Sequence, residues 1–197
     1  MKARMLVLAS FVAVGARADN TQMLTIQTVL STIDTQATTS QLNNVFSDPA
    51  AGLSAIALNP GNAYTIGVQV SAIHALTNYC PSPCADTATA DQTLTTVITA
   101  NSSAQTGSAL LLLRAALESL GSLQVQSNSD LDLIDSFLQH PSRDIRASAA
   151  RALRNLNNPC AIPPLRVRYQ QEPTQQVQFA ISDALAYLSS LPAVTCP

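Results

Sequence analysis

Apolar side chains recur at intervals of three and four along most of the chain, the spacing that gathers them on one face of a helix. Met23, Ile26, Leu30 and Ile33 set this rhythm from Thr21 onward. A polar break at Thr35–Ser40 precedes a short helix, Gln41–Phe46, with Leu42, Val45 and Phe46 on one side. Ser47-Asp48-Pro49 reads as a helix start, a capping residue followed by a first-turn proline, and that helix runs to about Leu58. Asn59-Pro60-Gly61-Asn62 is a turn by residue type. Further helices are expected at Ala63–Tyr79, Thr89–Ala100, Ser108–Leu120, Asp130–Gln139, Ser142–Asn155, Ala161–Gln171 and Thr174–Ser190. Ser108–Leu120 is the most apolar: Leu110, Leu113, Leu117 and Leu120 lie in register, and Leu111 and Leu112 widen the stripe. Gly121-Ser122 is placed to close it. Strand alternation is nearly absent, so the fold class is all-α.

Within Leu131–Ser190 the pattern is written twice. Ser142–Leu156 returns 32 residues later as Thr174–Leu188, with Ile145 answering to Val177, Ala149 to Ile181, Ala152 to Ala184, Leu153 to Leu185 and Leu156 to Leu188. The same shift carries Leu133 onto Leu165, Phe137 onto Tyr169 and Pro141 onto Pro173. A fixed period in the low thirties, with two helices per unit, marks a helical solenoid. A fainter echo pairs Val68–Leu76 with Ile145–Leu153 at an offset of 77. The expected architecture is a short α-solenoid of antiparallel helix pairs, about three to four repeats long.

Pro141-Ser-Arg-Asp-Ile-Arg-Ala-Ser-Ala-Ala-Arg-Ala-Leu153 and Ala161-Ile-Pro-Pro-Leu165 resemble the second and first helices of bacterial HEAT-like repeat proteins, the type that shares its repeat with phycobilin lyases. The resemblance covers Leu131–Ser190, weakens towards Ala63–Tyr79 and Ser108–Leu120, and is absent before Ser47. It implies a protein-interaction scaffold. The acid and arginine that recur in that family stand here as Asp144 and Arg146, but become Gln176 and Gln178 in the last unit. An amide pair keeps hydrogen bonds without a charge ladder, which suits a terminal repeat.

The first eighteen residues stand apart. Lys2 and Arg4 precede an apolar run, Met5–Val14, and Ala16-Arg17-Ala18 offers small residues where a signal peptidase reads. This is expected to be a cleaved secretory signal, 1–18, leaving one domain at 19–197 in the periplasm or outside the cell. Ten apolar residues fall short of the roughly 20 that a spanning helix needs. Four cysteines then fit an oxidising compartment. Cys160 precedes the first helix of the last pair and Cys196 follows its second, so an antiparallel pair brings them together. Closing that loop would stabilise by about 3–4 kcal/mol. Cys80 and Cys84 would pair locally; the rival, a metal site, lacks a second pair of ligands.

Charge narrows the function without naming it. Past residue 18 there are seven arginines, no lysine and twelve acids. Arg143, Arg146, Arg151, Arg154, Arg166 and Arg168 cluster against Asp144 alone, while the rest is acidic. On a helical projection Arg143, Arg151 and Arg154 oppose the apolar arc and Arg146 flanks its edge. Those three are candidates for gripping an acidic protein partner, since guanidinium pairs with carboxylate bidentately. The plainer reading is a solvated face balanced by Asp130, Asp132 and Asp135. Nucleic acid does not fit an acidic chain without interleaved aromatics. No hydrolase elbow, zinc-protease helix, phosphate loop or dinucleotide fingerprint is present. His74 reads as a packing residue and His140 as a turn residue or cap. No catalytic, cofactor or metal-binding residue is expected. The function expected is therefore a non-catalytic, exported scaffold. Its alternatives are chromophore handling of the lyase or isomerase kind, implied by the family resemblance, and a purely structural envelope component.

Overall fold

Thr38, Asp48 and Ser127 each cap the helix that follows them. The computed structural model describes residues 20–31, 36–79, 86–125 and 127–196, and these carry ten α-helices and no strand. They are α1 (Asn20–Leu30), α2 (Thr39–Val45), α3 (Pro49–Leu58), α4 (Ile66–Tyr79), α5 (Thr87–Ala100), α6 (Gly107–Leu123), α7 (Asn128–Ser136), α8 (Arg143–Asn155), α9 (Ile162–Gln171) and α10 (Gln175–Ser189). The expected signal at 1–18, Ile33, Cys80 and Cys84 lie outside the described residues.

The polar stretch before α2 turns out to be its start: Thr38 accepts from the Gln41 amide while the Gln41 side chain accepts from the Thr38 amide, a reciprocal cap. Asp48 caps α3 through the Ala51 amide, with Pro49 in the first turn as expected. Helix α4 begins later than the periodicity suggests. The Asn59 side chain holds both the amide and the carbonyl of Tyr64, tying residues 59–64 into a turn.

Four antiparallel pairs follow one another: α3 with α4, α5 with α6, α7 and its 3-10 extension (Phe137–Gln139) with α8, and α9 with α10. Second helices pack on second helices in the order α4, α6, α8, α10. Helices α1 and α2 lie against α4 and bring Ile26, Leu30 and Leu42 into one continuous core. No described helix is long and apolar enough to cross a membrane.

Burial follows the repeat. Ile145, Ala149, Ala152, Leu153, Leu156, Val177, Ile181, Ala184 and Leu188 are all inaccessible. Three pairs deviate: Leu133 is half-buried against an inaccessible Leu165, and two others lose cover in the last unit. Phe137 is buried but its counterpart Tyr169 is exposed, and Leu153 is buried but Leu185 is only half so. Among the described residues no helix pair follows α10. Cys160 and Cys196 form a disulfide, Cα to Cα 5.5 Å, joining the turn before α9 to the segment after α10.

Helix α6 corrects the sequence reading at two points. It does not stop at Gly121 but runs to Leu123, and Gln124 in the left-handed region (φ 53°) ends it. Gly121 is needed for packing instead: a β-carbon there would collide with the Ala152 backbone of α8. Leu111, expected in the apolar stripe, is 49% exposed. Gly121→Ala should therefore lose about 1–3 kcal/mol by overpacking, against the usual gain from removing a helix glycine. Urea denaturation checks this; a stabilised variant would contradict the close approach.

Candidate functional site

The second helices carry one row of charge. His74, Glu118, Arg151 and Asp183, separated by 44, 33 and 32 residues, occupy matching positions on α4, α6, α8 and α10. Their neighbours confirm the alignment. His74 Nδ1 lies 3.3 Å from Ser119 Oγ, Asn155 bonds Ser122 at 3.2 Å, and Glu118 Oε1 meets Arg151 Nη2 at 2.7 Å. Ser148 adds a further bond to Glu118 Oε1 at 2.7 Å. Burial pushes the Glu118 carboxyl up, but bonds from Arg151 and Ser148 more than offset it, and its pKa falls below the ordinary value. Burial lowers His74, the Glu118 carboxylate partly offsets this and Arg114 lowers it further, so its imidazole is neutral near pH 7.

Of the three candidate arginines, two are engaged within this face. Arg151 is taken by Glu118. Arg154 Nε lies 2.9 Å from Asp183 Oδ2 without an aligned hydrogen bond, and its guanidinium stands 4.6 Å from the centroid of the Tyr187 ring. Arg143 remains open: its contact with Asp144 is 3.5 Å and two-thirds of the side chain is exposed. The counter-charges are thus Glu118 and Asp183 on the flanking second helices. The expected Asp130, Asp132 and Asp135 are not the residues that meet these arginines. Glu118 and Asp183 were missed, although each lies one repeat from Arg151 in sequence.

Arg146 belongs to the interior. Its Nε and Nη2 each sit 2.8 Å from the two oxygens of Glu172, which is 2% exposed. Arg168 reaches the same carboxylate at 2.6 Å. Burial pushes Glu172 up, yet the two arginines and the Thr174 amide overcome it and hold the carboxyl at about 2. This joint keeps the repeat's period. The Ser142 amide donates to His140 Nδ1 as the Thr174 amide donates to Glu172 Oε1. Arg146 donates to the His140 carbonyl as Gln178 donates to the Glu172 carbonyl. Gln178 thus preserves the hydrogen bond of Arg146 without its charge. His140 is a cap, buried and held neutral by desolvation.

Asp130 is the opposite case. It is 4% exposed, its Oδ2 has no hydrogen-bond partner, and burial together with the charge of Asp91 raises it to about 6. An acid whose folded pKa is raised loses stability as pH climbs from its unfolded value, about 3.9, through the folded one. Asp130→Asn should therefore stabilise the protein by about 1–3 kcal/mol at pH 7 and have little effect near pH 3. Melting at the two pH values checks the sign.

Openings line the second-helix face from end to end. One, about 340 Å³, lies between α4 and α6 beside His74 and Glu118. The next shares those two residues and reaches Ser122 and Asn155. The last shares Ser122 and Asn155 and ends at Arg154 and Tyr187. Phe179, 66% exposed, stands one and two turns before Asp183 and Tyr187 on the same stripe of α10. Among the described residues no group of three or more ligating side chains could hold a metal ion.

Residues 102–186 match the family model for HEAT repeats. The match runs from the turn after α5 into α10, and the fold is a short HEAT-like α-solenoid. No curated protein and no solved structure matches the chain. HEAT repeats commonly serve as protein-interaction scaffolds, and α4, α6, α8 and α10 are the layer that such a scaffold would present here.

Proposed function

We propose that the chain is an exported, non-catalytic HEAT-like scaffold that holds a protein partner along its second-helix face. The observation that carries this is the alignment of α4, α6, α8 and α10, which joins three openings, a charge row and exposed Leu111, Phe179 and Tyr187 into one surface. The Cys160–Cys196 disulfide supports an oxidising compartment.

An acidic partner finds its first hold at Arg143, the open member of the arginine trio, with Arg154 and Arg151 behind it in the row. Partner affinity should fall by about tenfold or more in the double variant Arg143→Glu, Phe179→Ser. Val167→Ser, on exposed α9 in the other layer, should leave it unchanged. Pull-down against an identified partner, with melting curves as a folding control, checks both. Equal losses in the two variants would defeat the assignment to this face.

A further inference from the structure

The groove between α4 and α6 includes a glycine that the fold does not ask for. Gly67 lies exposed in the first turn of α4, outside the left-handed backbone region that calls for glycine. A β-carbon added there would meet nothing within 4 Å, in contrast to Gly121, where it would strike a neighbouring helix. Neither a turn nor packing needs its absence. What the missing side chain leaves is room, above an apolar floor of Ile66, Val70, Leu111 and Ala115. A backbone kept bare beside an opening suits close approach by a ligand.

Charge at the rim narrows what that ligand is. Arg114 touches Glu118 only through Nε, at 3.5 Å, and half its side chain is exposed. Glu118 directs the same oxygen, Oε1, to Arg151 and Ser148 at 2.7 Å each. Among the described residues the terminal nitrogens of Arg114 make no hydrogen bond, and Glu118, its ion-pair partner, is shared with Arg151. Past His74 and Glu118 the groove runs onto Ser119, Ser122 and Asn155. These groups, already bonded to His74, the Glu118 carbonyl and one another, make that end of the groove polar, and they have nothing to offer an acyl chain.

We propose that this hollow seats an aliphatic side chain of a partner peptide, with an Asp or Glu one or two residues away paired to Arg114. The proposal rests on the scaffold reading and adds the chemistry of its partner. Selection of random, phage-displayed heptapeptides on the immobilised chain is expected to enrich Leu, Ile or Val within two positions of Asp or Glu. A synthetic peptide of the enriched sequence should lose at least about tenfold in affinity on Gly67→Leu, which fills the hollow. Arg114→Glu should shift selection to Lys or Arg at the acidic position, a change that unfolding cannot produce.

Enrichment of basic or aromatic peptides, no enrichment over a blank, or undiminished affinity in Gly67→Leu would overturn the proposal. So would decanoate binding in the groove with no peptide selected. In each of those outcomes the scaffold reading survives if an identified partner still cross-links at position 179. If the peptide selection succeeds and that cross-link fails, the wider face is at fault and the hollow stands alone.

Discussion

Arg146→Met should destabilise the protein by about 3–5 kcal/mol, the usual loss when one member of a buried ion pair is removed. Glu172 would keep Arg168 but lose two bonds of 2.8 Å in an inaccessible position. The His140 and Pro141 carbonyls would lose their donor as well. Both effects fall on the joint between α8 and the turn into α10, so the last pair should loosen first. Urea denaturation with hydrogen exchange resolved along the chain measures this. A loss below about 1 kcal/mol, typical of an exposed pair, would show that the joint is solvated.

The same joint sets an acid limit. The folded pKa of Glu172, about 2, lies below its unfolded value, near 4.3. Its contribution is complete above the unfolded pKa and is lost as pH falls through the folded one. That gap corresponds to about 3 kcal/mol disappearing between roughly pH 4.5 and pH 2. Glu172→Gln should flatten this part of the stability profile, while Asp130→Asn flattens the part between roughly pH 4 and 6.

Cys160→Ser with Cys196→Ser should cost about 3–4 kcal/mol, because the disulfide restricts the unfolded chain over a long loop. The folded structure loses little locally, so α9 and α10 should remain in place; local opening should rise only after Ser189, while amides that exchange by global unfolding quicken with the lost stability. A variant with unchanged stability would mean that the tail is held by other contacts. Intact mass under non-reducing conditions, with the amino terminus at Asp19, tests disulfide formation and export together.

Much of this fold was legible because helix periodicity and a 32-residue repeat both leave marks on one strand of sequence. Core positions such as Ile145 and Val177 needed only that register. What lay hidden depended on neighbouring helices. Gly121 looks like a helix terminator until Ala152 is placed beside it. Leu111 looks like core until the α4–α6 opening is seen. The only two glutamates, Glu118 and Glu172, each gather one arginine from their own helix turn and one from a distant helix. A local charge count could show only Arg114 and Arg168, because the second partners lie 33 and 26 residues away. Counting one period from Arg151 would have found Glu118 and Asp183.

The second-helix face is the centre of the account, and site-specific photo-cross-linking tests it most directly. A benzophenone amino acid at Phe179, on the row, and at Val167, on the opposite layer, would be irradiated in cells making the full chain. Both positions are exposed, at 66% and 55%, so access alone does not favour either. The expected result is one discrete, identified protein captured from position 179 and absent from position 167. Capture of that protein from 167 with none from 179 would place the partner on the other face and contradict the account.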